Sequence, residues 1–175
     1  MQLTISLKVD GGIVEVSANL FIVMFVFLSY AFLGFIDDYL IIKRKNNVGL
    51  TEFQKLAGQL LIALVFFFIY MKSGAEPVIE VYTLGIEIHL GWFYGIFLLF
   101  MLVASSNAVN ITDGLDGLAG GLSLIAFLTF ALISANSPAI EGTSDIAVFC
   151  FVLVGSLMGF LAFNSRPAKV FMGDT

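Results

Sequence analysis

The stretch Leu90–Ala135, LGWFYGIFLLFMLVASSNAVNITDGLDGLAGGLSLIAFLTFALISA, decides the architecture. It holds two apolar runs, Leu90–Ile111 and Leu118–Ala135. Each is close to the ~20 residues that a helix needs to cross a bilayer core. Between them stand Asp113, Gly114, Asp116 and Gly117. Acids and glycines in that position predict a break at a membrane surface, where backbone and ligand can approach closely. Three more runs of similar character follow outward from this pair, near Ala18–Ile36, Leu56–Met71 and Ile146–Phe163. The second of these is short, and Phe53 and Tyr70 extend it toward the interfaces. The expected fold is an all-α polytopic membrane protein. It has about five transmembrane helices in a single membrane-embedded domain over residues 1–175.

Composition agrees. Of the 175 residues 59% are hydrophobic and 12% charged, and the mean hydropathy is +1.02. Soluble domains carry about 25% charged residues, so this chain cannot cover a water-facing surface. A disulfide framework is excluded, because Cys150 is the only cysteine. Nucleic acid is not expected as a partner, since 8 Lys and Arg stand against 13 Asp and Glu. The first run does not read as a cleavable signal peptide: it is too long, no basic segment precedes it, and it ends in acids.

The connections orient the spans. Lys43, Arg44, Lys45 and Lys55 lie between the first and second runs, and Arg166 and Lys169 follow the fifth. Alternation of five spans puts these six on one side and leaves only Lys8 and Lys72 on the other. The positive-inside rule makes the first side cytoplasmic. Lys43, Arg44 and Lys45 set orientation and attract anionic headgroups, at about 1 kcal/mol each. Lys55 opens the second span; it either reaches a phosphate or snorkels. On the outer side, Val78–Ile88 alternates around Gly85 and reads as a short β-hairpin, a partly ordered loop being the alternative. Gly58, and Gly155 with Gly159, suggest close helix packing.

Five aspartates carry the chemical signal: Asp37 and Asp38 in FLGFIDDYL, Asp113 and Asp116 in NAVNITDGLDGLAGG, and Asp174 in FNSRPAKVFMGDT. All five abut a span end on the cytoplasmic side. A carboxylate beside hydrocarbon is costly and usually faces protein, water or a cation. Taken singly, each is also compatible with a solvated helix end. Asn107, Asn110, Asp113 and Asp116 recur every third residue and form one polar stripe if the helix continues through them. Asp37 and Asp38 are adjacent, so on a helix they point about 100° apart and serve different ends. Several acids on one face call for a cation. Mg²⁺ fits best, because it takes hard oxygen ligands and shares itself with substrate phosphates. The sole histidine, His89, lies outside. No acid lies in mid-span, which disfavours a transporter or channel.

The three segments just quoted resemble signature motifs of the polyprenyl-phosphate N-acetylhexosamine-1-phosphate transferases, and the resemblance covers nearly all of Leu20–Thr175. DDYLIIKRKNNVGLTEFQKLAGQ, Thr112 in NITDGLDGL, and RPAKVFMGDT are similar to the lipid I-forming branch. The resemblance implies transfer of phospho-N-acetylmuramoyl-pentapeptide from its UDP-linked donor to undecaprenyl phosphate, with release of UMP. That reaction belongs to peptidoglycan synthesis at the cytoplasmic face of a bacterial inner membrane. A GlcNAc-1-phosphate transferase serving other surface polymers is the alternative. The resemblance also implies further spans and motifs on either side, so the chain is expected to be an internal catalytic fragment, inactive alone. A homodimer is a possible assembly.

Site roles follow from matching positions. Asp174 is implied as the Mg²⁺ ligand, with a helix N-cap as its structural alternative. Asp37 is implied to contact or deprotonate the lipid phosphate, or to act by orientation alone. Asp38 is its helper, at the metal or through a nearby lysine. Asp113 and Asp116 are implied in nucleotide recognition, Asp116 accepting from the uracil N–H. Phe171 stacks on the base or packs in the membrane. Asn110 and Asn164 bond ligand, brace the acids or cap a helix. Lys55 completes the substrate-binding set.

Overall fold

The computed structural model describes residues 4–9, 12–45, 49–74, 76–81, 84–137 and 142–172, the side chains of 4–9, 12–16 and 18 excepted. Five helices dominate: α1 (Ala18–Arg44), α2 (Glu52–Lys72), α3 (Phe93–Thr112), α4 (Leu118–Ala135) and α5 (Thr143–Asn164). All five are long and apolar enough to cross a membrane, and each coincides with an expected span. Large apolar side chains lie exposed along them, Phe32, Leu61, Phe100 and Ile125 among them. Helices satisfy their own backbone groups, so such a surface suits lipid. The protein is a multi-pass membrane protein.

Two antiparallel hairpins accompany the helices. β3 (Val78–Val81) and β4 (Ile86–His89) form the expected one, in the α2–α3 connection. Gly85 has φ +62° there, a left-handed value that glycine adopts without penalty. The other hairpin was not anticipated. β1 (Thr4–Val9) pairs with β2 (Gly12–Ser17) in a register running from Thr4 opposite Ser17 to Val9 opposite Gly12. Its signal is nonetheless in the sequence, since Asp10–Gly11 separates two alternating runs.

The first helix differs from expectation in length. Sequence placed its end at Ile36, but it continues through Asp37 and Asp38 to Arg44. At 1.5 Å per residue its 27 residues extend about 40 Å, beyond a ~30 Å hydrocarbon core. The aspartates therefore sit within a continuous helix. Amphipathic Tyr39 and the basic Lys43 and Arg44 form its final turns.

The chain divides into two compact units, one built on Met24–Asn107 and the other on Leu3–Val23 with Ala108–Asp174. In the first, Gly58 meets Leu33: a Cβ at Gly58 would come within 2.8 Å of Leu33 Cδ1. That close approach of α2 to α1 is the one expected for Gly58. In the second unit, α4 and α5 pack closely through Gly120, where a Cβ would come within 3.1 Å of Leu161 and 3.4 Å of Phe160. Among the described residues a Cβ at Gly155 or Gly159 meets nothing within 4 Å, so that pair makes no such close approach there. The spacing marks a helix face without saying which neighbour meets it. Asp145, in the first turn of α5, accepts from the Ser17 N–H at 2.7 Å and ties the end of β2 to α5.

Candidate active site

In the first unit the site is built around Asp37. Its side chain is 1% exposed. One carboxylate oxygen, Oδ2, lies 2.9 Å from the Lys55 ammonium. The other accepts from the Leu50 N–H at 2.5 Å. Arg44 adds a second tie to the same loop, donating to the Gly49 carbonyl at 3.1 Å. Gly49 is required by contact: a Cβ there would fall on the Asp37 carboxylate. Asp38, the next residue, is exposed, as a 100° step around a helix demands. It is thus Asp37, not Asp38, that meets the lysine.

Lys55 is presented by a well-started helix. Thr51 caps α2, its hydroxyl accepting from the Gln54 N–H at 3.3 Å while Gln54 Oε1 accepts from the Thr51 N–H at 3.0 Å. This reciprocal capping box was legible in Thr51-x-x-Gln54. One turn beyond Lys55, buried Gln59 donates to Ser106 Oγ at 3.3 Å and accepts from Asn107 Nδ2 at 3.0 Å. Asn107 also donates to the Val103 carbonyl at 2.8 Å. A cavity of about 400 Å³ is lined by Glu52, Phe53, Lys55, Leu56, Gln59 and Asn107. Gln59 and Ser106 were missed by sequence reasoning. An isolated Gln or Ser in an apolar run gives no signal until its partner on another helix is known.

In the second unit the α3–α4 break forms around the Asp-Gly-Leu-Asp-Gly turn. α3 closes with the Asp113 N–H bonded to the Val109 and Asn110 carbonyls. Gly117 precedes α4 with φ +77°. Asn164, the last residue of α5, is buried, and both ends of its amide are engaged. Oδ1 accepts from the Gly117 N–H at 3.0 Å, and Nδ2 donates to the Val170 carbonyl at 2.8 Å. Asp116 Oδ2 accepts from the Ala168 N–H at 3.1 Å. Three bonds thus clamp the Gly-Leu-Asp-Gly turn to the segment 165–172. Phe171, 70% exposed, is carried on that segment. Asn110 is exposed on the last turns of α3, and Asp113 is half-buried just past it. Asp174 lies outside the described residues.

Asp37 and Asp116 have their carboxylates engaged, whereas those of Asp38 and Asp113 have no hydrogen bond or ion pair among the described residues. No group of three His, Cys, Asp or Glu gathers to hold a metal among the described residues. A Mg²⁺ site needs only one or two carboxylates, with water and substrate supplying the rest. The carboxylates of Asp38, in the first unit, and Asp113, in the second, are each hard oxygen donors of the kind that ion takes.

Residues 20–175 match the family described as glycosyl transferase family 4. The chain belongs to glycosyl transferase family 4. The chain is 50% identical over 159 residues to a phospho-N-acetylmuramoyl-pentapeptide-transferase of Geobacillus thermodenitrificans, covering 91% of this chain and 48% of that protein. A protein of the same name from Geobacillus kaustophilus is 48% identical over 170 residues, covering 97% and 51%. One from Listeria monocytogenes is 47% identical over 161 residues, covering 92% and 48%. The chain spans about half the length of these curated relatives. The family match starts two residues into α1, so it includes all five helices and every site residue named above.

Proposed function

We propose that the protein transfers phospho-N-acetylmuramoyl-pentapeptide from its UDP-linked donor to undecaprenyl phosphate at the cytoplasmic face of a bacterial inner membrane. A lipid-phosphate oxygen attacks the sugar-linked phosphorus. The new P–O bond makes lipid I, and the bond to UMP breaks. The observation that carries this reading is the half-identical match to the pentapeptide-transferases. Phosphoryl transfer is mostly positioning and charge neutralisation. The roles below follow from that.

Asp37 acts by orientation. Its two oxygens hold the Lys55 ammonium and the Leu50 N–H, which supports Lys55 as the cation that receives a phosphate in the adjoining cavity. Gln59 and Asn107 line the same cavity with amide groups. Asp38 is exposed beside this pair and is the helper. Asp116 keeps Oδ1 for the uracil N–H while Oδ2 holds Ala168. The exposed ring of Phe171 supports stacking on the base, worth about 1–3 kcal/mol. Asp113 and Asn110 complete nucleotide recognition, and Asn164 supports the turn beside them by holding the Gly117 N–H and the Val170 carbonyl. Asp174 is the proposed Mg²⁺ ligand; the ion, when bound, neutralises phosphate charge.

The test supplies undecaprenyl phosphate with UDP-N-acetylmuramoyl-pentapeptide or UDP-GlcNAc to the full-length protein in membranes and measures UMP and lipid-linked product. Turnover is expected with the muramoyl donor. Preference for UDP-GlcNAc would move the protein to the other branch of the transferases. Asp174→Asn is expected to lose at least about 10²-fold in turnover, the usual cost of one charge-stabilising group. Near-wild-type turnover in that variant would refute the metal assignment.

A further inference from the structure

The β3–β4 hairpin carries a surface that the proposed chemistry does not use. Its register sets Ile79 opposite Ile88 and Val81 opposite Ile86. Directly opposed residues of an antiparallel pair share a face. One face is therefore four β-branched aliphatic residues. The other sets Val78 opposite His89 and Glu80 opposite Glu87. Like charges directly opposed repel, so the two glutamates require water around them. On the aliphatic face Ile79 and Val81 are half-buried, while Ile86 and Ile88 stay open at 48% and 44% exposed.

The base of the hairpin indicates what lies against that face. The Tyr70 hydroxyl donates to the Glu76 carbonyl at 3.2 Å, and the Leu90 N–H donates to the Pro77 carbonyl at 3.0 Å. Tyr70 stacks on Tyr94 with centroids 5.4 Å apart, and Trp92 meets Phe67 edge-on at 6.1 Å. The strands thus leave directly from the ends of α2 and α3, at a cluster of Trp and Tyr. Those residues favour the headgroup level of a bilayer. Trp92, 77% exposed, and Phe93 continue the apolar surface of the spans toward the hairpin. A four-residue strand reaches only about 13 Å, so the hairpin stays within reach of the interface.

We propose that this hairpin is a membrane-surface element. It lies on the leaflet at the ends of α2 and α3, with Ile79, Val81, Ile86 and Ile88 against lipid and Glu80 and Glu87 in water. Its partner is a lipid surface, and the claim holds for either orientation of the spans.

The test places nitroxide labels on single cysteines in the full chain in phosphatidylcholine vesicles: Ile86→Cys, Ile88→Cys, Glu80→Cys and Glu87→Cys, each with Cys150→Ala. If Cys150→Ala fails to fold, the buried native thiol is kept. Labels at 86 and 88 are expected to collide with oxygen and lose collisions with a water-soluble nickel chelate. Labels at 80 and 87 should show the reverse. Equal chelate access at all four sites would put the hairpin in water and overturn the proposal. Shielding of 86 and 88 from both reagents would mean protein covers the face, and would overturn it too. A second reading uses the fact that Trp92 is the only tryptophan. Ile88→Trp in a Trp92→Phe chain should fluoresce blue-shifted and be quenched by brominated lipid; an unquenched, red-shifted signal overturns the proposal.

Discussion

Lys55 and Asp37 form a pair whose two members are unequally placed, the carboxylate being almost wholly enclosed and the ammonium partly so. Removing one member of a buried pair leaves an uncompensated charge, typically at a cost of 3–5 kcal/mol. Lys55→Met is therefore expected to lower stability by about 3 kcal/mol, read as earlier thermal unfolding in detergent. Asp37→Leu combined with Lys55→Met should recover most of that loss while turnover stays absent. Recovery of turnover with stability would show that the pair has no role in chemistry. Gly49→Ala tests the same centre from the loop side. Its Cβ collides with the Asp37 carboxylate, so the Leu50 bond must open. Turnover should fall while the helical content seen by circular dichroism is unchanged. The five aspartates were legible one by one, since an acid at a span end stands out against apolar sequence. The identity of the one that takes the lysine was not, because it depends on which way each side chain faces around α1.

At the scale of elements, the three bonds from Asn164 and Asp116 make the α3–α4 turn and the segment after α5 a single piece. Asn164→Leu removes two of them in a buried place. At about 1 kcal/mol per bond, with a further penalty for stranded backbone groups, the loss should reach about 2–3 kcal/mol. If the segment positions Phe171 for the nucleotide, KM for the UDP-linked donor rises more than kcat falls. An equal fall in kcat with KM constant would place the clamp elsewhere in the mechanism. Gly117→Ala, at φ +77°, should cost about 1–2 kcal/mol through left-handed strain. Both glycine breaks, at Gly85 and Gly117, could be anticipated from turn chemistry alone. The β1–β2 hairpin and the Thr51 capping box carry equally local signals, in Asp10–Gly11 and in Thr51-x-x-Gln54.

For the whole molecule, the charge asymmetry of the connections predicts sidedness. A cysteine at Lys43 should react with a membrane-impermeant maleimide only after inside-out vesicles are prepared, and one at Glu80 only in right-side-out ones. The opposite pattern would invert the topology and remove the proposed site from the cytosol. The number of long apolar helices, their approximate limits and the α3–α4 break were all present in the linear chain. They are local properties: a bilayer accepts each helix on its own length and apolarity. The Asp37–Lys55 contact, the Gln59–Asn107 pair and the Asn164 clamp were decided only by the tertiary structure. The clamp joins residues 47 positions apart. Such contacts depend on how each helix is rotated against its neighbour. In a chain whose helices are apolar nearly all round, no periodicity in the sequence records that rotation.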